Sequence, residues 1–444
     1  MNELYCGAAK ELITPPEELI SSFWGLTLRR FDRVYDDLYV RVIALQAGED
    51  TVLIVSFDLD KAPCPVEFVE ELSKQTGVKE ENILYFGIHT HTAPITGYRP
   101  FEVRNDITKK TPEEQYAVHT YENFIRERLL VCAKEALQSL KPARYGCGYG
   151  KSMINMNRTH RYTDRKNGGY VVSEGWGNTG EEADHTLFMM EITDLARKPI
   201  AFFTNYAMHN VCMFQNDAGE GKSAISSDIG GNVSKQIENL FEGAVCIWSS
   251  GAAGDVNCIC SSTIGYPNPE TGMPEYMEDK ALVRTAQRMQ VLAAMQTQDI
   301  LDIHAGIDNY RETAKIRGAI EYAETPYSEN ALFTKEYSID PEKKYRIRLH
   351  MLKIGDIVLV GADGELYTEL GKRILDAIPN EYAVVINHEC SLLLDNPAYV
   401  YSDAVIELAQ ESTAFRLPGW DQFKGTPGRI GPALQSTMKK LLGK

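Results

Sequence analysis

No run of apolar residues in this 444-residue sequence approaches the roughly 20 needed to cross a bilayer. The opening Met1-Asn2-Glu3-Leu4-Tyr5-Cys6 carries an acid and has neither the basic nor the apolar region of a secretion signal, so a cytoplasmic protein is expected. Positive charge is in deficit, with 46 Lys and Arg against 62 Asp and Glu and a formal net charge of -16. A surface that acidic repels phosphate backbones and anionic lipid, which argues against nucleic acid or a membrane as the main partner. Cysteines number nine, odd and scattered, as in a chain of reduced thiols. Cys258 and Cys260 are the close pair, but a C-x-C alone is weak support for a metal, and packing near a site is the plainer role. Internal repeats, low-complexity tracts and linkers are missing as well.

What is present reads as α/β. Hydrophobic residues at 43% and charged residues at 24% are ordinary for a folded chain and ample for a core. Leu38 to Leu45 and Thr51 to Phe57 are β-rich runs around a hairpin-like turn at Gly48-Glu49-Asp50. Pro65 to Thr76 has helical spacing and stops at Gly77, and Ile83 to Ile88 is a buried strand. Thr111-Pro112-Glu113-Glu114 starts a helix, with a capping hydroxyl, a first-turn proline and acids at the positive dipole end. Its amphipathic pattern runs to about Leu140, before Pro142. Further strands are expected at Pro199 to Tyr206, Ala244 to Trp248, Arg346 to Ile354 and Ile357 to Gly361. Helices are expected from a cap at Asp228 through Leu240, over Lys280 to Leu301, and from the Gly364-Glu365 turn through Ala377. The recurring unit is a strand whose C-terminal end meets polar or small residues, where open α/β sheets place ligands.

Several of those strand ends carry chemistry. His89 and His91 follow the strand ending at Ile88, and if the extended backbone persists both imidazoles point to one face. Imidazole is the commonest zinc ligand, and a catalytic zinc takes three protein ligands and leaves a position open for water. Two histidines bonded to backbone would be the plain structural alternative; His209, placed alike after its own strand, favours a metal site. Asp58 and Asp255 end strands too, where an acid can ligate, orient a histidine or cap a helix. Glu365 sits at a strand-to-helix turn suited to a carboxylate ligand. Arg158, in a polar Gly-rich stretch, can clamp a carbonyl or carboxylate or simply be a solvated loop arginine.

Together these pieces resemble the N-terminal catalytic domain of the neutral/alkaline (non-lysosomal) ceramidase family. The resemblance rests on Ala8-Ala9-Lys10 with Ile13-Thr14-Pro15-Pro16, Tyr39-Val40-Arg41 with Asp58, and His89-Thr90-His91-Thr92-Ala93-Pro94 against the family's H-T-H-S-x-P. It continues through Asn157-Arg158, His209, Ser227-Asp228 with Gly230, Gly251 to Val256 and Gly364-Glu365, in the family's order. It implies an α/β fold of mixed β-sheets flanked by helices; a single ceramidase-like domain over 1–444 is expected, departing from the family in having no separate C-terminal β-sandwich. It further implies zinc held by His89, His209, Glu365 and a tyrosine. His91 and Arg158 would face the substrate, with Asp255 and Asn257 nearby, and a zinc-activated water would hydrolyse an amide or related acyl bond. The missing β-sandwich and secretion signal speak against ceramide at a membrane, so the expected substrate is a soluble small molecule. The chain departs from the family in three places: Asn257 stands where the G-D-V-S-P-N segment has serine, Asp363 where proline precedes the glutamate turn, and Ser391-Leu392 where Gly-Tyr is expected, with Tyr399 or Tyr401 as substitutes. Two other readings stand beside it: an H-x-H amidohydrolase on a barrel, and a non-catalytic binding protein that kept the fold.

Overall fold

The computed structural model describes residues 1–27, 29–96, 109–174, 183–332, 334–388, 399–420 and 423–443. Along the strand Tyr39–Ala47, Val40, Val42 and Ala44 enter one hydrophobic cluster, while Ile43 and Leu45 enter another. A strand buried on both faces needs a layer on each side, and the chain supplies both. The large sheet consists of β1 (Asn2–Leu12), β2 (Tyr39–Ala47), β3 (Asp50–Phe57), β4 (Ile83–Gly87), β5 (Lys141–Lys151), β6 (Thr186–Asp194), β7 (Pro199–Tyr206) and β8 (Val245–Ser250). Its spatial order is β8-β7-β6-β5-β1-β2-β3-β4, and Thr313–Ala314 pairs with the start of β1. The small sheet runs in sequence order: β9 (Ile316–Glu329), β10 (Ser338–Ile354), β11 (Ile357–Ala362) and β12 (Tyr382–Ile386).

The two sheets pack face to face. Ile43, Phe203 and Ile247 of the large sheet share a cluster with Leu352, Leu359 and Val384 of the small one. Helices cover the outer faces. On the large sheet these are α1 (Pro65–Thr76), α2 (Pro112–Gln138), α3 (Asp228–Leu240) and α4 (Leu282–Gly306). On the small sheet they are α5 (Thr368–Leu375), α6 (Asp403–Glu411) and α7 (Ile430–Gly443). This four-layer arrangement bears out the expected mixed sheets flanked by helices. It overturns the barrel alternative: the sheets are open, and the neighbouring pairs among these strands are antiparallel except β3–β4, β7–β8 and β11–β12.

Local chemistry explains several boundaries. At the start of α2 the Thr111 hydroxyl accepts from Glu114 N at 3.3 Å, and the Glu114 carboxylate accepts from Thr111 N at 2.8 Å, a reciprocal capping box. The expected cap of α3 is different. Asp228 lies inside the helix at φ 52, and its carboxylate accepts from Met213 N and Ile229 N, tying the helix start to the loop after β7. β5 was hidden in the Gly-rich stretch. Gly146, Gly148 and Gly150 lie under Ile303 and Ile307, where an added Cβ would come within 2.5–3.1 Å of those side chains. The glycines let the α4 end of the chain lie close against the sheet.

A buried ionic network ties the large sheet to α3. Arg41, 1% exposed, donates to Asp58 at 2.9 Å and to Glu238 at 2.8 Å, and Lys10 reaches the other Glu238 oxygen at 2.7 Å. Asp58 also accepts from Tyr39 N, so this strand-end acid braces the sheet. Arg41→Met would leave two buried carboxylates short of their counter-charge, and a loss of about 3–5 kcal/mol is expected. Urea denaturation of wild type and variant checks this, and an unchanged midpoint would contradict it.

Candidate metal centre

The parallel pairs β3–β4, β7–β8 and β11–β12 release their C-terminal ends toward one another, and His89, His209, Glu365 and His388 each follow such an end. β3 and β4 finish in register at Phe57 and Gly87, followed by Asp58-Leu59-Asp60 and Ile88-His89. The extended geometry that would align His89 and His91 does not persist. The strand ends at Gly87, His89 takes a left-handed backbone at φ 65, and its N–H donates to Leu59 O at 3.0 Å. This turn brings the two rings edge to face, centroids 4.5 Å apart, with their Nε2 atoms 3.1 Å apart.

His209 follows β7. Its N–H donates to Val256 O at 3.0 Å, and its Nδ1 lies 3.1 Å from the same carbonyl. The segment carrying Val256 follows β8 and packs on the turn after β11. Gly254 permits that approach, since a Cβ there would come within 2.5 Å of Glu365 O. Glu365 then meets His209 Nε2 at 3.1 Å and His89 Nε2 at 3.5 Å through one carboxylate oxygen. Asp363, in the turn before it, accepts from Arg348 N at 2.6 Å, a bond that fixes the turn.

The outer nitrogens are held in place. His89 Nδ1 lies 2.8 Å from the Asp60 carboxylate and His209 Nδ1 faces a carbonyl, so both rings keep the Nδ1 proton and turn Nε2 inward. His89, His91 and His209 each place a ligand nitrogen within 4.8 Å of the others. The set His89, Glu365 and His388 has the same property. Tetrahedral zinc bonds of about 2.0–2.2 Å separate neighbouring donor atoms by about 3.3–3.6 Å. Around Glu365 the 3.5 Å separation fits that spacing and the 3.1 Å one falls just short of it. The residues present therefore fit a metal ion.

The charges respond to this crowding. Burial disfavours a charged His89, but Glu365 and then Asp60 outweigh it and raise its pKa to about 9. Burial, Arg158 and His89 push His209 down to about 3. His91 and His388 are held neutral by burial and by the neighbouring His89. Glu365 stays ionised despite its burial, because His89 and His209 lower its pKa well below the usual carboxylate value.

Arg158 follows a short strand, Asn155–Asn157, that pairs with Val256–Cys258. Its guanidinium donates to Gly254 O at 2.8 Å and Asn257 Oδ1 at 3.3 Å, and Nη2 also lies 3.0 Å from the Tyr399 hydroxyl and 3.3 Å from His209 Nε2. Asn257 is thus brought beside Arg158. Asp255 is turned elsewhere: its carboxylate accepts from Thr368 N and Oγ1 and from Asn157 Nδ2, which places it as a brace for α5 and the Arg158 strand. Of the two tyrosines weighed, Tyr399 puts its hydroxyl 3.2 Å from His209 Nε2, while Tyr401 bonds Pro418 O. Ser391 and Leu392 lie outside the described residues. Neither Cys258 nor Cys260 joins a converging ligand group among the described residues. Sequence reasoning missed Asp60 and His388. Both follow apolar strands, the same signal that singled out His89 and His209.

Asp60 orients the His89 ring from outside the candidate ligand group. Asp60→Ala is expected to weaken metal binding about 10–100-fold while leaving the fold intact. Titration against a chromophoric chelator reads this directly, and an affinity equal to wild type would show that Asp60 does not set the His89 ring.

No family model matches the sequence, and no curated protein matches it. Solved structures do. The neutral ceramidase from Pseudomonas aeruginosa superposes with a TM-score of 0.70 at 13% identity, covering 99% of this chain and 74% of that one. A ceramidase complexed with C2 gives 0.68 at 14% identity, covering 99% and 75%. Over nearly its whole length, this chain has the fold of neutral ceramidase.

Proposed function

We propose that the protein is a zinc-dependent hydrolase that cleaves an amide or related acyl bond in a soluble small molecule. The observation that carries the reading is the convergence of His89 Nε2 and His209 Nε2 on one Glu365 oxygen, at 3.5 and 3.1 Å, with each ring's outer nitrogen already engaged. The ceramidase names of the solved structures sharing this fold support an amide as the scissile bond. A soluble substrate accords with the net charge of -16, which disfavours docking on anionic lipid.

Zinc, when bound, supplies Lewis-acid chemistry that polarises a carbonyl and makes water a usable nucleophile near neutral pH. The chain's own residues do the rest. Arg158 holds a permanent positive charge beside the cluster, braced by Gly254 O and Asn257, where negative charge develops on the carbonyl oxygen. The Tyr399 hydroxyl, within 3.0 Å of Arg158 Nη2, lies beside the same position. His91 is neutral and partly buried, with no hydrogen-bond partner for Nδ1 among the described residues, so its ring can polarise the carbonyl or hand a proton to the leaving group. The Asn257 amide nitrogen is likewise unpartnered and available to a substrate oxygen.

Elemental analysis of protein purified without chelator is expected to give about one zinc per chain, with the metal lost in His89→Ala and in His209→Ala. A metal-free wild type after zinc is supplied would end the hydrolase reading. In a screen of soluble N-acyl compounds, Arg158→Met should lower kcat about 100–1000-fold with zinc retained. Arg158→Lys should not rescue it, because one ammonium cannot keep the forked bonds to Gly254 O and Asn257. Full activity in Arg158→Met would remove Arg158 from the mechanism.

A further inference from the structure

Beyond the three ligands named so far, the cluster contains a histidine with no evident task. We propose that His388 is a fourth protein ligand of the metal, which frees His91 to serve the substrate. The inference rests on the metal-centre reading above. It also departs from the ligand set drawn from the ceramidase resemblance, which has a tyrosine and no third histidine.

Three observations carry it. His388 is 4% exposed, and neither of its ring nitrogens meets a hydrogen-bond partner among the described residues. Burying an imidazole without a partner destabilises the fold, a penalty a ligated ion removes. The ring nitrogens of His89 and His209, by contrast, all have neighbours. Second, a His388 nitrogen lies within 4.8 Å of ligand atoms of both His89 and Glu365; its ring stacks on that of His89, centroids 3.7 Å apart, so ligation requires the His388 side chain to rotate out of the stack. Third, His388 has φ 62, a strained conformation for a residue with a side chain, and shares it with His89. Strain of that kind persists where surrounding structure enforces it, and it gathers at functional sites.

The construction also matches the rest of the centre. β11 and β12 run parallel, and the residues following them, Glu365 and His388, are joined through His388 N and Gly364 O. β3 and β4 place Asp60 and His89 in the same way, with His89 N bonded to Leu59 O. Each of these two parallel pairs thus sets a carboxylate and an imidazole, Asp60 with His89 and Glu365 with His388, just beyond its C-terminal ends.

His388→Gly tests the proposal, since glycine adopts φ 62 without strain and the backbone can stay in place. Zinc affinity is measured by chelator competition and ligand geometry by the visible spectrum of the cobalt-substituted protein, with chelator-treated thermal unfolding as a check on the fold. The wild type should bind zinc. His388→Gly should bind more than about 100-fold more weakly, beyond what loss of a merely orienting residue costs. Its cobalt spectrum should shift, and millimolar imidazole should restore both. His388→Asn also tolerates positive φ and should show the same loss. An unchanged affinity and spectrum in His388→Gly would overturn the proposal. If His91→Ala alone lost the metal, that ligand position would pass to His91. A wild type that binds no zinc would overturn the metal-centre reading itself, and this proposal with it.

Discussion

The centre depends on the face-to-face packing of the two sheets. His89 and His209 leave the large sheet, whereas Glu365 and His388 leave the small one, and neither sheet alone assembles the cluster. The contact is apolar through Ile43, Phe203, Leu352 and Leu359. At the edge near the site it becomes polar and directional: Asn205 Nδ2 donates to Val385 O at 2.9 Å, and Asn387 N donates to Ser250 O at 2.9 Å. An apolar interface supplies burial energy with little preference for register, while two fixed hydrogen bonds select one register. The neighbouring residues His209 and His388 then have little freedom in where they sit.

Such a cluster is expensive for a protein to keep. Asp60, His89, His209 and Glu365 are all nearly solvent-free, and a buried charge is tolerated only when paired or hydrogen-bonded. Without a metal, a proton on His89 serves as counter-charge to Glu365 and Asp60, which is the physical meaning of its raised pKa. Two left-handed histidines add backbone strain. Arg41, Asp58 and Glu238 form a second buried network whose charges are already matched by salt bridges. The contrast separates an ionic brace from a centre in which three imidazoles and a carboxylate crowd together.

Much of this was legible in the sequence, for a physical reason. Strands such as Thr51 to Phe57, Ile83 to Ile88 and Pro199 to Tyr206 are continuous apolar runs because both faces are buried, and their ends can be read off with the polar residues that follow. The Thr111 capping box is chemistry within a few residues. β5 was not legible: no strand was expected over its glycines, which the structure uses under α4. Nor was the partnership of Asp60 with His89, or of Tyr399 with Glu365 and His209, since these come from strand pairing and sheet packing across long separations. His388 carried the same strand-end signal as His209, yet a lone histidine outside a motif gives no reason to prefer it. The turn at His89 shows a different limit. The H-x-H spacing suggested an extended backbone, and the rings meet through a left-handed turn instead.

Anomalous diffraction at the zinc edge from crystals grown with zinc addresses the central claim most directly. The account predicts one strong peak among His89 Nε2, His209 Nε2 and Glu365 Oε2, at about 2.0–2.2 Å from each. A peak elsewhere, or none at full zinc saturation, would contradict it.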